Sequence, residues 1–244
     1  MKNKVNKDSY RKTLFQGIKD FEEIEKELLE EGSNMHLFIN TASGEVKIFM
    51  VTLLLYLNGK NPYYPQEFHE DFFNSQLQLM HRTCLASLHI AVQASLNEFI
   101  KSRNLTIEIS LAKQIDKIVK NIREKLLGNS LIEKELREIE HLGGNHPQFQ
   151  DYLNTVLSNI IVYEDLETDK KYKEATRAYF DALSIVRNKV SHYTNEPLSE
   201  NEKERLKRGH FGKMVDENGY LQMDIRFYKL IFGDIIKFLN FLKD

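Results

Sequence analysis

Apolar residues recur along this chain at steps of three and four, the interval that gathers them on one side of an α-helix. From Ser9 to Glu31 the stripe is Tyr10, Leu14, Ile18, Phe21, Ile24 and Leu28, and Gly32-Ser33 ends it. A second helix is expected over Thr41 to Leu57, stopped by Asn58-Gly59-Lys60-Asn61-Pro62, with an aromatic-rich loop from Pro62 to Phe73 placed to pack over the core. A long third helix runs from about Ser75 to Ser102 on Leu77, Met80, Cys84, Leu88, Ala91, Ser95, Leu96 and Phe99. Ile107, Leu111, Ile115, Ile118, Ile122 and Leu126 then repeat up to a turn at Gly128-Asn129, and Ser130 with Glu133 forms the capping box of another helix. Gly143-Gly144-Asn145-His146-Pro147 breaks the chain before Phe149, Leu153, Val156, Ile160 and Tyr163.

The last third holds three more helices. One begins near Asp169 and buries Tyr172, Ala175, Tyr179, Ala182, Val186 and Val190; a short one is capped by Ser199 and Glu202; one starts near Leu221 and returns Phe227, Ile231, Ile235, Phe238 and Leu242 to the core. No alternating strand pattern competes with these stripes, so the expected fold is all-α, a bundle of about seven to eight helices.

Composition narrows the picture further. The chain has 244 residues, 41% of them hydrophobic and 29% charged, with four prolines and eleven glycines, which suits a globular, helix-rich fold with a sizeable core. A lone cysteine, Cys84, excludes an internal disulfide framework and fits a reducing compartment, so a cytoplasmic location is expected. Met1-Lys2-Asn3-Lys4 is basic like the start of a signal peptide, but no apolar segment follows it, and no export signal is expected. The most apolar run, Ile48 to Leu57, has about half of the roughly 20 residues that span a bilayer, so no membrane span is expected either. A net charge of -2 gives no global attraction for nucleic acid, and any phosphate contact has to come from a local basic patch.

Several candidate chemistries fall away on spacing alone. The glutamates between Glu22 and Glu31 cover the outer faces of the first helix and imply a solvated surface. His81 and Cys84 stand three apart, as a nucleophile pair could, but Cys84 belongs to the apolar stripe and reads as a small core residue. Gly143-Gly144 lacks the lysine and the hydroxyl of a phosphate-binding loop, and His141 and His146 are five apart, a spacing no common zinc motif uses. Neither a metal site nor a cofactor is expected.

Arg187-Asn188-Lys189-Val190-Ser191-His192 is different. Asp181, Ser184, Asn188 and His192 follow one another at helical steps opposite the apolar face, with Arg187 and Ser191 flanking them, so a polar stripe runs to the helix end. With an ordinary pKa of ~6.5, His192 can accept or donate a proton at neutral pH, and the planar fork of Arg187 suits two phosphate oxygens. Asn188 can orient the histidine or bond a substrate. Lys203, Arg205, Lys207 and Arg208, followed by Gly209 to Lys213, make the densest basic segment, interleaved with Glu200, Glu202 and Glu204. The plainer reading of both features is a solvated helix end whose positive side chains meet the helix dipole.

The arginine, the polar residue directly after it and the histidine five positions on resemble the R-x4-H signature of HEPN-domain proteins. The resemblance covers about Ser75 to Asp244, where a long helix precedes the motif helix and one more follows; residues 1–74 are then an N-terminal helical region packed on that domain. It implies a metal-independent endoribonuclease acting on single-stranded RNA, with Arg187, His192 and Asn188 as catalytic residues and a 2′,3′-cyclic phosphate product. Lys189, Ser191, Tyr193, Arg205, Lys207 and Arg208 are then the candidate substrate contacts. It also implies a homodimer that joins two motifs, and a role in toxin or antiviral defence under an antitoxin or regulatory protein. Members paired with a nucleotidyltransferase antitoxin show R-x4-H-x-Y, whereas Tyr193 follows His192 directly here and position 194 is Thr194. The other reading is a non-catalytic helical module that binds a partner protein or a nucleotide through the same polar groove.

Overall fold

A computed structural model of the chain describes residues 7–31, 34–65, 67–107, 119–120, 122, 147–191 and 196–242. Over these residues the fold is all-α, with seven α-helices, one 3-10 turn and a single isolated bridge between Val215 and Leu221. The chain divides into two compact units, residues 1–95 with 161–244, and residues 96–160.

In the first unit, α1 (Lys7–Glu31) and α2 (Asn34–Leu57) form a hairpin. Leu14, Phe21, Ile24 and Leu28 of α1 are buried, as are Ile39, Val46, Met50 and Leu53 of α2. Gly17 permits the close approach: a Cβ there would lie 2.8 Å from Met50 Sδ. The end of α2 is a Schellman turn, in which Lys60 N–H donates to Leu55 O and Gly59 N–H to Tyr56 O, with Gly59 at φ +64°. Arg11 Nη2 donates to Leu57 O at 2.6 Å and satisfies another terminal carbonyl. The aromatic loop packs on this end, with Tyr64, Phe68, Phe72 and Phe73 around the Tyr56 ring.

The second helix begins seven residues before its expected start, because Asn34 to Asn40 continue it. That stretch looks polar, yet His36 is buried and bonds Asn240 at 2.9 Å, and Met35 O accepts from Ser95 Oγ at 2.8 Å. The segment Met35–Leu57 is therefore long and apolar enough to cross a membrane by length and composition. Glu45 and Lys47 interrupt it near the middle, Lys47 pairing with Glu25 of α1, and its inward side chains belong to the core.

Helix α3 spans Glu70–Ser102 and the division between the units passes within it. Phe73, Met80, Cys84, Leu88 and Val92 are buried at helical spacing. In the second unit, residues 96–160, the described elements are the end of α3 and α4 (Phe149–Asn159), which buries Leu153, Val156 and Leu157. The helices expected over Ile107 to Leu126 and from Ser130, the turn at 143–147, His141 and His146 lie outside the described residues, apart from Ile107, Val119, Lys120, Ile122 and Pro147.

Three helices complete the first unit. The N-terminus of α5 (Leu166–Ser191) is fixed by Asp165, whose carboxylate accepts from Thr168 N–H at 2.8 Å and Thr168 Oγ at 2.6 Å. Its buried face is broader than its stripe suggested: Ala182 and Val186 are buried as expected, but so are Thr176, Phe180, Leu183 and Ile185, while Ala175 is exposed. The reason is that α5 is covered on two sides. Helix α6 (Glu200–Arg208) lies along one, with Gly209 so close that a Cβ would sit 2.3 Å from Ala182 Cβ and 2.6 Å from Ala178 O. On the other, α7 (Arg226–Asn240) brings Phe238 against Phe180 and accepts the Tyr179 hydroxyl at Ile231 O. The start of α7 is at Arg226, not near Leu221, because Leu221 and Gln222 pair back with Val215 and Met214.

Candidate functional site

Arg187 and Asn188 stand near the C-terminal end of α5, four and three residues before Ser191. Arg187 Nε and Nη2 both donate to Asn188 Oδ1, at 3.2 and 2.8 Å, so neighbouring residues fix the guanidinium and leave three of its five N–H donors outside this contact. The Arg187 charge also acts on His89 of α3, a half-buried residue. Burial, and then that charge, push the His89 imidazole down to about 4, so it is neutral at physiological pH. His89 and Arg187 are far apart in the chain and share no local spacing, which is why no motif signals this influence. Ser191 is the last residue of α5, and His192 and Tyr193 lie outside the described residues.

The other expected contacts divide into engaged and exposed groups. Lys189 Nζ lies 3.1 Å from Glu202 Oε1. Glu202 is the third residue of α6 and closes its capping box, accepting from Ser199 N–H and Ser199 Oγ at 2.8 Å each. Burial works to raise the Glu202 carboxyl, and the bonds from Ser199 and Lys189 outweigh it, so Glu202 titrates below its ordinary range. Arg205 makes a two-pronged pair with Asp181 of α5, Nε to Oδ2 at 2.8 Å and Nη2 to Oδ1 at 2.5 Å, which holds the guanidinium above its ordinary pKa. The polar stripe on α5 thus serves partly to seat α6. Ser184, also on the stripe, returns its hydroxyl to Phe180 O within the helix. Lys207 and Arg208 remain exposed on α6.

A cleft of about 520 Å³ opens beside the end of α5, lined by Lys189 and Val190, by Asn74, Gln78 and His81 of α3, and by Gln222. Glu196 and Asp216 also line it, and the Lys189 charge is matched by Glu202, so the cleft does not suit a phosphate. His81 is no catalytic base. It shares a 2.9 Å hydrogen bond between Nδ1 and the Tyr228 hydroxyl, and burial pushes it down to about 4 against the pull of Asp224. Burial first, and Glu45 second, push the Cys84 thiol up to about 12, which leaves it a protonated core residue. Among the described residues no group of three His, Cys, Asp or Glu side chains could hold a metal ion.

Compared with family models, curated proteins and solved structures, the chain matches none.

Proposed function

We propose that the chain is a HEPN-type endoribonuclease that cleaves single-stranded RNA without a metal ion. In this reading His192 takes the 2′-hydroxyl proton or delivers one to the leaving 5′-oxygen. The 2′-oxygen bonds to phosphorus as the bond from phosphorus to the 5′-oxygen breaks, leaving a 2′,3′-cyclic phosphate and a 5′-hydroxyl. Arg187 holds the scissile phosphate and stabilises the charge that gathers on its oxygens. The observation that supports this most is the guanidinium held by Asn188 Oδ1 near the end of α5, oriented ahead of any ligand.

One histidine serves only one of the two proton transfers, so the reading takes a homodimer in which two motifs meet about a twofold axis. Lys207 and Arg208 then guide the RNA backbone, and Ser191 and Tyr193 flank the reacting phosphate. A cytoplasmic toxin or antiviral defence role, restrained by an antitoxin or regulatory protein, completes the reading.

The test is incubation of the purified chain with mixed-sequence single-stranded RNA in EDTA, beside Arg187→Ala and His192→Ala. Fragments ending in cyclic phosphate are expected, with each substitution lowering the rate by about 10²- to 10⁴-fold. Cleavage that survives both substitutions overturns the assignment. A second reading, a non-catalytic module that binds a partner protein or nucleotide, is favoured by the pairing of Lys189 and Arg205 with Glu202 and Asp181, which removes two cations from the RNA surface. Under that reading Arg187→Ala alters binding, and no cleavage is seen with any variant.

A further inference from the structure

We propose that the cleft beside α3 and the segment 216–225 binds a free nucleoside, held by its base through uncharged side chains and carrying no phosphate. The proposal stands apart from the ribonuclease reading, since Arg187 does not line the cleft. One stripe of α3 forms a wall of it: Asn74, Gln78 and His81 follow at steps of four and three, with Leu77 among them, and span about 10 Å along the helix. They grade from rim to floor, Gln78 exposed, Asn74 half-buried and His81 only 5% exposed. A second cavity, of about 320 Å³, shares Tyr10, Leu77, His81 and Met223 with the first, so His81 is a wall common to both. The Tyr228 hydroxyl lies nearer to His81 Nδ1, at 2.9 Å, than to His81 O, at 3.4 Å, and donates to the nitrogen. The imidazole, kept neutral by burial, then carries its proton on Nε2, and no described residue accepts it. A buried N–H on the wall of a cavity, without an acceptor in the chain, marks a place for a ligand's acceptor.

The charges around the cleft select an uncharged ligand. Lys189 is paired with Glu202 and Arg226 with Asp224, so neither cation is left for a phosphate. Asp216 accepts from Asn218 N–H, Tyr220 N–H and Gln222 Nε2 and is filled by its own turn, which leaves Glu196, at the exposed rim, as the one carboxylate not engaged by a described residue. A single exposed carboxylate is a poor holder of a cation. The groups that remain are neutral: the His81 N–H and the carboxamides of Asn74 and Gln78, neither of which bonds another described residue. Two carboxamides one helical turn apart each set a donor beside an acceptor, the arrangement that meets the edge of a base, adenine above all through N6 and N7. His81 Nε2 then donates to a further ring nitrogen. Leu77, Leu221 and Met223 add apolar surface for the faces of a flat ring. A sugar offers neither flat aromatic faces nor an edge of alternating donors and acceptors. The cleft, at about 520 Å³, has room for a base with its ribose.

Equilibrium dialysis of the full chain against radiolabelled adenosine reads the outcome. A dissociation constant on the order of 0.1 mM is expected, the value that about 19 non-hydrogen atoms reach at the ligand efficiency of drug-sized molecules. Adenosine 5′-monophosphate is expected to bind about tenfold more weakly or worse, because its phosphate meets Glu196 and Asp216. Asn74→Leu and Gln78→Leu, each with unchanged helical circular dichroism, are expected to weaken adenosine about tenfold. Glu196→Gln, at an exposed position, is expected to leave adenosine unchanged and to bring the monophosphate closer to it. The proposal is overturned if no adenosine is retained, if the monophosphate, spermidine or glucose is held as well as adenosine, or if both leucine variants bind adenosine like the parent chain. A short oligoadenylate held more tightly than adenosine also overturns it, by placing a strand in the cleft instead of a nucleoside.

Discussion

Burial keeps His81 neutral down to about pH 4, and that has a thermodynamic consequence. The unfolded chain takes up this proton near the ordinary ~6.5, so as pH falls the unfolded state is favoured first. The contribution of His81 to stability is complete above about 6.5, declines between there and about 4, and is constant below, a loss of roughly 3 kcal/mol over the window. His89, also pushed down to about 4, adds to the same slope, though its partial exposure makes its share smaller. Urea denaturation from pH 7.5 to 4.5 is expected to show this decline. In His81→Asn the slope is expected to flatten, the stability being lower near neutral pH because the Tyr228 hydroxyl loses a partner, and the deficit closing as pH falls. An unchanged slope would show that other groups govern the acid limb.

At the scale of elements, α6 is seated on α5, which ties up some of the basic residues of α6 and leaves others exposed. The Arg205 fork is filled by Asp181, whereas Lys207 and Arg208 are exposed. Under the ribonuclease reading, Lys207→Glu with Arg208→Glu is expected to weaken RNA binding and shallow its dependence on salt by about two contacts. Arg205→Ala is expected to leave that salt dependence nearly unchanged and instead to cost stability, by up to about 1 kcal/mol for a pair this exposed. Fluorescence anisotropy at several salt concentrations separates the two effects. Equal loss of salt dependence from Arg205→Ala would place its guanidinium on the RNA.

Much of the helical order was legible because the stripe from Leu14 to Leu28, the stop at Asn58-Gly59 and the box of Ser199 and Glu202 are local patterns, complete within a few residues. The contacts that define the candidate site are not local. Arg205 with Asp181 and Lys189 with Glu202 each join different helices, and no spacing announces them. The start of α2 was hidden for the same reason: His36 looks like a surface residue until its partner Asn240, at the far end of the chain, is in place. Likewise the buried face of α5 could not be drawn from its own stripe, since α6 and α7 cover it from two directions.

At the scale of the whole molecule, the unit that carries Arg187 is assembled from both ends of the chain, residues 1–95 and 161–244. Lys229 of α7 reaches Asp20 of α1 at 2.8 Å across that distance in sequence. Within it, α6 has nine residues, below the length at which a helix persists alone in water. Its order is borrowed from α5 through Gly209, Arg205 and Lys189. Amide hydrogen exchange should therefore find the α6 protons opening together with those of the second half of α5, as one cooperative unit, despite the exposed surface of α6. Gly209→Ala, which forces a methyl into Ala182, is expected to raise the exchange rate of both helices together. Exchange of α6 alone, with α5 still protected, would show that the short helix frays independently of the helix that carries the arginine.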